Sequence, residues 1–104
     1  MRQYAQATMK TFSNDQVGLI ARRARALGDP TRVRILEALA RAPQQVGRIA
    51  EALTSQPSTI SRHLQVLFAA GLVERRREAS AVIYSIASDD LLAWCRALAT
   101  PRLI

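Results

Sequence analysis

The residues of this chain best suited to chemistry cluster in one short stretch: Gln56, Ser58, Thr59, Ser61, Arg62, His63 and Gln65. Hydroxyls, amides, a guanidinium and an imidazole are the groups that hydrogen-bond base edges and phosphate oxygens. An enzyme would need something else. The chain has no Gly-rich phosphate loop, no Ser/His/Asp set and no nucleophile elbow. Its one acidic pair, Asp89-Asp90, is explained by a helix N-terminus. We therefore expect no catalytic residue and no cofactor.

Such groups work only if an element presents them together. Ile60, Leu64, Leu67 and Phe68 recur at helical spacing through the same stretch. A helix beginning at Pro57 would bury that side and offer the polar one, with Ser55 or Gln56 as its cap. A brief helix over about Val46 to Leu53 precedes it, with Ile49, Ala50 and Leu53 inward. Two short helices joined by a tight turn form a helix-turn-helix, whose second helix can enter the DNA major groove. A solvated amphipathic helix would show the same spacing, so the flanking elements must decide.

Downstream of Gly71, Leu72 to Arg76 and Val82 to Ile86 are rich in β-formers. Val82, Tyr84 and Ile86 alternate with Ile83 and Ser85, as in a half-buried strand. Arg77-Glu78-Ala79-Ser80 would link the two as a hairpin. A helix-turn-helix followed at once by a hairpin is the winged layout. Arg76, Arg77 and Ser80 would hold the flanking DNA backbone, with Arg75 on the same strand. Charges on an edge strand also block aggregation, and the two roles are compatible.

Upstream, Asn14 or Asp15 can cap a first helix with Val17, Ile20, Ala21, Ala24 and Leu27 on one face and Arg22, Arg23 and Arg25 off it. Gly28-Asp29-Pro30 reads as helix end, N-cap and first helical residue. The next helix would run to about Arg41 with Val33, Leu36, Leu39 and Ala40 inward and Ile35 flanking. Ser88 would cap a last helix, apolar along Leu91, Leu92, Cys95, Leu98 and Ala99. The expected fold is mainly α with a β-hairpin: four helices, the hairpin, one helix. Residues 1–13 would be a loose arm and 14–100 one domain.

The bulk properties agree. A chain of 104 residues suits one domain. Its net charge is +7, carried by fourteen Arg and one Lys. Arginine forks onto phosphate and guanine, so a nucleic acid is the favoured partner. No apolar run could span a membrane, no signal peptide is visible, and one cysteine makes no internal disulfide. A cytoplasmic location is the simplest reading. A winged-helix module that binds protein would not need so basic a chain, and it stands as an alternative.

Three blocks in order resemble the arsenic-repressor (ArsR/SmtB) family of bacterial regulators. They are Ala26-Leu27-Gly28-Asp29-Pro30-Thr31-Arg32-Val33-Arg34-Ile35-Leu36, Ser58-Thr59-Ile60-Ser61-Arg62-His63-Leu64-Gln65-Val66-Leu67, and Ala70-Gly71-Leu72-Val73-Glu74-Arg75-Arg76-Arg77-Glu78. The resemblance implies a homodimer built by the first and last helices. Val17, Ile20, Leu91, Leu92, Trp94, Cys95 and Leu98 would form its interface. It also implies repression by occluding an operator, an inducer that weakens DNA binding, and a DNA-facing role for His63.

The chain departs from the family pattern at the turn, where Thr54-Ser55 replaces Gly and an apolar residue. It departs again at the helix cap, where Gln56 replaces Ser, and at the wing tip, where Ala79-Ser80 replaces Gly-Arg. Without Gly the wing turn must avoid positive φ or be strained. The positions of the family's metal ligands hold Gln45 and Gly47, or Ser88 and Asp90 with no His following. One Cys and one His fall short of the three or four ligands a thiophilic metal wants, so no metal site is expected. Cys95 meeting its counterpart across a dimer would make a thiol-responsive repressor. Packing as a small apolar residue is the plainer role for it.

Overall fold

The computed structural model describes residues 11–102. Most of the expected N-terminal arm, residues 1–10, lies outside the described residues. The described chain contains α1 (Asn14–Leu27), α2 (Pro30–Arg41), α3 (Val46–Leu53), α4 (Pro57–Ala69), β1 (Val73–Glu78), β2 (Ala81–Ile86) and α5 (Leu91–Ala99). This is the winged helix-turn-helix order: α3 and α4 form the unit and the antiparallel β1–β2 hairpin is the wing. None of the described helices is long and apolar enough to cross a membrane.

Local chemistry sets the boundaries. Ser13, not Asn14 or Asp15, caps α1: its Oγ accepts from the Gln16 amide at 3.1 Å. Gln16 Oε1 accepts in return from the Ser13 amide at 2.9 Å, closing a capping box. Asp29 caps α2 as expected, its Oδ1 accepting from the Thr31 and Arg32 amides at 2.8 and 3.2 Å. Ser88 caps a turn just before α5, accepting from the Asp90 amide at 3.1 Å, and Asp90 stands at the N-cap.

The core is drawn from every element. Ile35, Leu36 and Leu39 of α2 meet Ile49 and Ala50 of α3 and Ile60, Leu64 and Leu67 of α4. Leu72, Val73, Tyr84 and Leu91 close it. Burying each large apolar side chain stabilises the fold by about 1.5–3 kcal/mol. Ile35 is fully buried and Val33 is exposed, the reverse of the spacing-based expectation. The α2 face that meets α3 and α4 is centred on Ile35, and Val33 turns toward α5. Phe68 is likewise exposed rather than buried: it lies outside the core face of α4, where the wing's Arg75 covers part of its ring.

Helix α1 turns one face away from the protomer. Its regular apolar stripe points outward, with Val17 and Ile20 about half exposed and Ala21 and Ala24 exposed. The inward side carries buried Ala26 with half-buried Leu19, Arg23 and Leu27. Arg23 thus sits against its own protomer, and its Nε donates to the Ala70 carbonyl at 3.0 Å.

The hairpin pairs Val73 with Ile86 through to Glu78 with Ala81, so only Ala79 and Ser80 form the turn. Arg77 and Glu78 belong to the strand, not the link. Gln44 adds a bridge on the far edge of β2, exchanging backbone hydrogen bonds of 2.9 Å with Tyr84. Two non-glycine residues have positive φ: Thr54 at 51° and Ala79 at 56°. Both stand where the ArsR/SmtB resemblance implies glycine. The backbone keeps the turn and accepts the strain, which is greater for β-branched Thr54.

Candidate nucleic-acid interface

Helix α4 is seated by Ile60, Leu64 and Leu67, each wholly excluded from solvent. Helical geometry then turns the intervening residues outward. Gln56, Ser58, Arg62 and Gln65 are exposed, and Thr59, Ser61 and His63 are half-buried. Gln56 makes no side-chain cap, and the Thr59 and Ile60 amides donate to its carbonyl at 3.1 Å, so in the first turn of α4 the Ser58 amide is the one left open to an outside acceptor. Arg62 makes no hydrogen bond or ion pair among the described residues. Its guanidinium is thus free to fork onto a base edge or a phosphate.

His63 is held by a residue that the sequence reading leaves without a role. Arg32 Nη1 lies 3.2 Å from His63 Nδ1. A guanidinium only donates, so Nδ1 accepts and the neutral ring carries its proton on Nε2. Arg32 also donates from Nε to the Ala26 carbonyl at 2.6 Å and from Nη2 to the Arg25 carbonyl at 3.3 Å. One side chain on α2 therefore satisfies the C-terminal carbonyls of α1 and orients a side chain on α4. The nearest sequence signal is an Arg placed just after a Gly-Asp-Pro break, where it can reach back to the preceding helix. Its link to a residue 31 positions on is tertiary. Asp29 lies beside this group. The Arg32 amide holds its carboxyl below the usual 3.8 against some desolvation, and the charge His63 can carry acts in the same direction.

The wing residues Arg75, Arg76, Arg77 and Ser80 are all exposed. The three arginines are not equivalent. The Arg75 guanidinium lies 4.0 Å from the centre of the Phe68 ring, which fixes β1 to the end of α4. Arg76 pairs with Glu78 at 2.9 Å and is thereby partly neutralised. Arg77 has no partner among the described residues. Alternation along β1 places Arg75 and Arg77 on one face and Arg76 with Glu74 and Glu78 on the other.

Of the residues expected at a dimer interface, Val17, Ile20, Trp94 and Leu98 are exposed by 54, 51, 46 and 62%. Leu92 is half-buried. Leu91 is a correction: at 1% exposure it belongs to the protomer's own core, because it starts α5 directly over the α2–β2 packing. Cys95 is half-buried against that core, and desolvation pushes its thiol pKa up. Among the described residues, no group of three or more His, Cys, Asp or Glu side chains could hold a metal ion.

Comparison with known proteins gives a consistent result. Residues 29–75 match the model of the bacterial regulatory protein arsR family. A transcriptional repressor SmtB homolog from Synechocystis is 33% identical over 99 residues, covering 95% of this chain and 75% of the relative. The homodimeric winged helix-turn-helix DNA-binding domain of a possible ArsR-family regulator from Mycobacterium bovis superimposes with a TM-score of 0.76 at 34% identity. That match covers 86% of this chain and 89% of the other. NolR from Sinorhizobium fredii gives a TM-score of 0.74 at 29% identity, covering 90% and 97%. The Synechocystis and M. bovis proteins are named for transcriptional regulation, not for an enzyme activity. The order of elements, the exposed polar face of α4, the arginine-bearing wing and these matches lead to one conclusion: the chain belongs to the ArsR family of bacterial regulatory proteins.

Proposed function

We propose that this protein is a homodimeric repressor that binds double-stranded DNA at an imperfect palindrome. The observation that carries the reading is the outward polar face of α4, on which Arg62 has no partner among the described residues. Arg62 and the Ser58 amide lie on a helix whose opposite face is locked into the core. Ser58, Thr59, Ser61, Arg62, His63 and Gln65 read or position the site, with Gln56 at the helix entry. Arg77 and Ser80 hold the flanking backbone, and Arg76 joins them by exchanging Glu78 for a phosphate.

Two copies pair through α1 and α5. The outward Val17 and Ile20 of α1, with Trp94 and Leu98 of α5, are large apolar side chains about half or more open to water, and pairing would cover them. Pairing would set two α4 helices about 34 Å apart, one turn of DNA. Cys95 packs near that surface. Its raised thiol pKa supports a packing role over a reactive thiolate. No metal site of the family's kind is assigned, since each chain has one Cys and one His.

The test is selection of genomic fragments by the purified protein, followed by a salt titration on the best fragment. An enriched inverted repeat is expected. Affinity should fall about 10³-fold between 50 and 200 mM salt if roughly six phosphates are neutralised. No enrichment over random DNA, or a flat salt dependence, would instead favour a protein-binding module.

A further inference from the structure

Helix α1, the α4–β1 turn and the start of α5 enclose a cleft of about 220 Å³. Its lining combines one cation with apolar walls: Arg23, Leu72, Leu91, Trp94 and Ser88, with Gly71 at the back. We infer that this cleft is a binding site for a small carboxylate with an apolar body of about one ring.

The cation is held in place. Arg23 Nε donates to the Ala70 carbonyl at 3.0 Å, which leaves both terminal NH₂ groups without a partner among the described residues. Two parallel N–H donors from a fixed guanidinium are the geometry that binds a carboxylate through both oxygens. Gly71 makes room for them. Its φ is +75°, and a Cβ there would come within 3.1 Å of Arg23 Nη2. Ser88 Oγ already accepts from the Asp90 amide, so its hydroxyl proton is free to donate into the cleft. Asp89 and Asp90 follow in the chain, but they are exposed and do not line it.

Charge alone would admit any anion. The walls narrow the choice: Trp94, whose cleft side the pairing of α1 and α5 must leave open, offers a large flat apolar face, and the nearly buried Leu72 and Leu91 form the floor beneath it. The volume suits a ligand smaller than drug size. A DNA phosphate is not the occupant, because Gly71 lies beyond the C-terminal end of α4. Ala70 is about 18 Å along the helix from Ser58 at 1.5 Å per residue.

Trp94 is the chain's one tryptophan, so its emission reports this cleft directly and independently of any DNA. The experiment titrates the full-length protein in its native oligomeric state with cyclohexanecarboxylate, exciting at the red edge of tryptophan absorption. Inorganic phosphate and cyclohexanecarboxamide serve as controls. The carboxylate should give a saturable change, and each control should bind at least about tenfold more weakly. Arg23→Gln should weaken binding by about tenfold or more and Ser88→Ala by a smaller factor, at unchanged helical circular dichroism. If Arg23→Gln fails to fold, the Ser88→Ala loss and the amide control still test the site. No saturable change would overturn the proposal, whether water or the second copy fills the cleft. Equal binding of the amide would overturn it too.

Discussion

Arg32 offers the sharpest test of how α1 and α4 are held together. Arg32→Met keeps most of the aliphatic stem and removes the guanidinium. The Ala26 carbonyl, near the C-terminal end of α1, then loses its charge-assisted 2.6 Å hydrogen bond. A bond of that kind contributes about 1.5–3 kcal/mol net. The contacts to Arg25 and His63 are longer, 3.3 and 3.2 Å, and each adds less. The expected destabilisation is about 2–3 kcal/mol. In urea, at fixed protein concentration, the midpoint should fall by about 1.3–2 M if the slope is near 1.5 kcal/mol/M. Arg32→Lys should recover less than half of the loss, because an ammonium cannot reach three acceptors at once. His63→Ala should cost less in the Arg32→Met background than alone, by about 0.5–1.5 kcal/mol of coupling. A shift below about 0.5 kcal/mol for Arg32→Met would mean that water replaces the guanidinium, and the argument would fail.

Other outcomes follow from the same geometry. Arg62→Ala should weaken operator binding by about 1–3 kcal/mol and relax one base pair, leaving thermal stability unchanged; a uniform loss across sequences would mean that it holds only phosphate. Ile20→Glu places a charge in the outward stripe of α1, and sedimentation should show monomers with intact helicity; persistence of dimers would move the interface elsewhere. Thr54→Gly and Ala79→Gly relieve positive φ and should each stabilise by about 0.5–1 kcal/mol net of the entropy glycine adds to the unfolded chain, Thr54→Gly the more. A lower melting temperature for either would contradict that strain. Asp29 has a depressed pKa, so its stabilising effect is fully present above its ordinary 3.8 and is lost as pH falls through the lower folded value. Asp29→Asn keeps the cap but not the titration, so its stability deficit should shrink as pH drops from 5 toward 3; a constant deficit would count against the shift.

Much of this molecule is written locally. Gly28-Asp29-Pro30 punctuates α1 and α2 through chemistry that acts within a few residues, and the structure realises it as read. The apolar period of Ile60, Leu64 and Leu67 identifies the buried side of α4, and so the polar side that faces outward. The α1 cap was also legible, since Ser13 followed three residues later by Gln16 is a capping-box pattern.

What spacing cannot say is which neighbour an apolar face meets. The stripe of α1 is regular, but only the packed protomer shows that it points away, because its own core is already filled from α2, α3 and α4. The same limit governs Ile35 against Val33, and Leu91 against Leu98: one of each pair is needed by the core, and the others are left for α5 or for solvent. The positive φ of Thr54 and Ala79 depends on turns closed by flanking elements, so composition alone leaves strain and rearrangement equally open. The contact between Arg32 and His63, and the cleft around Arg23, join residues far apart in sequence. Local sequence determines which elements form and which side of each is apolar. Tertiary packing decides which charges end up tethered and which stay free, because that depends on what lies within hydrogen-bonding distance after the chain has folded.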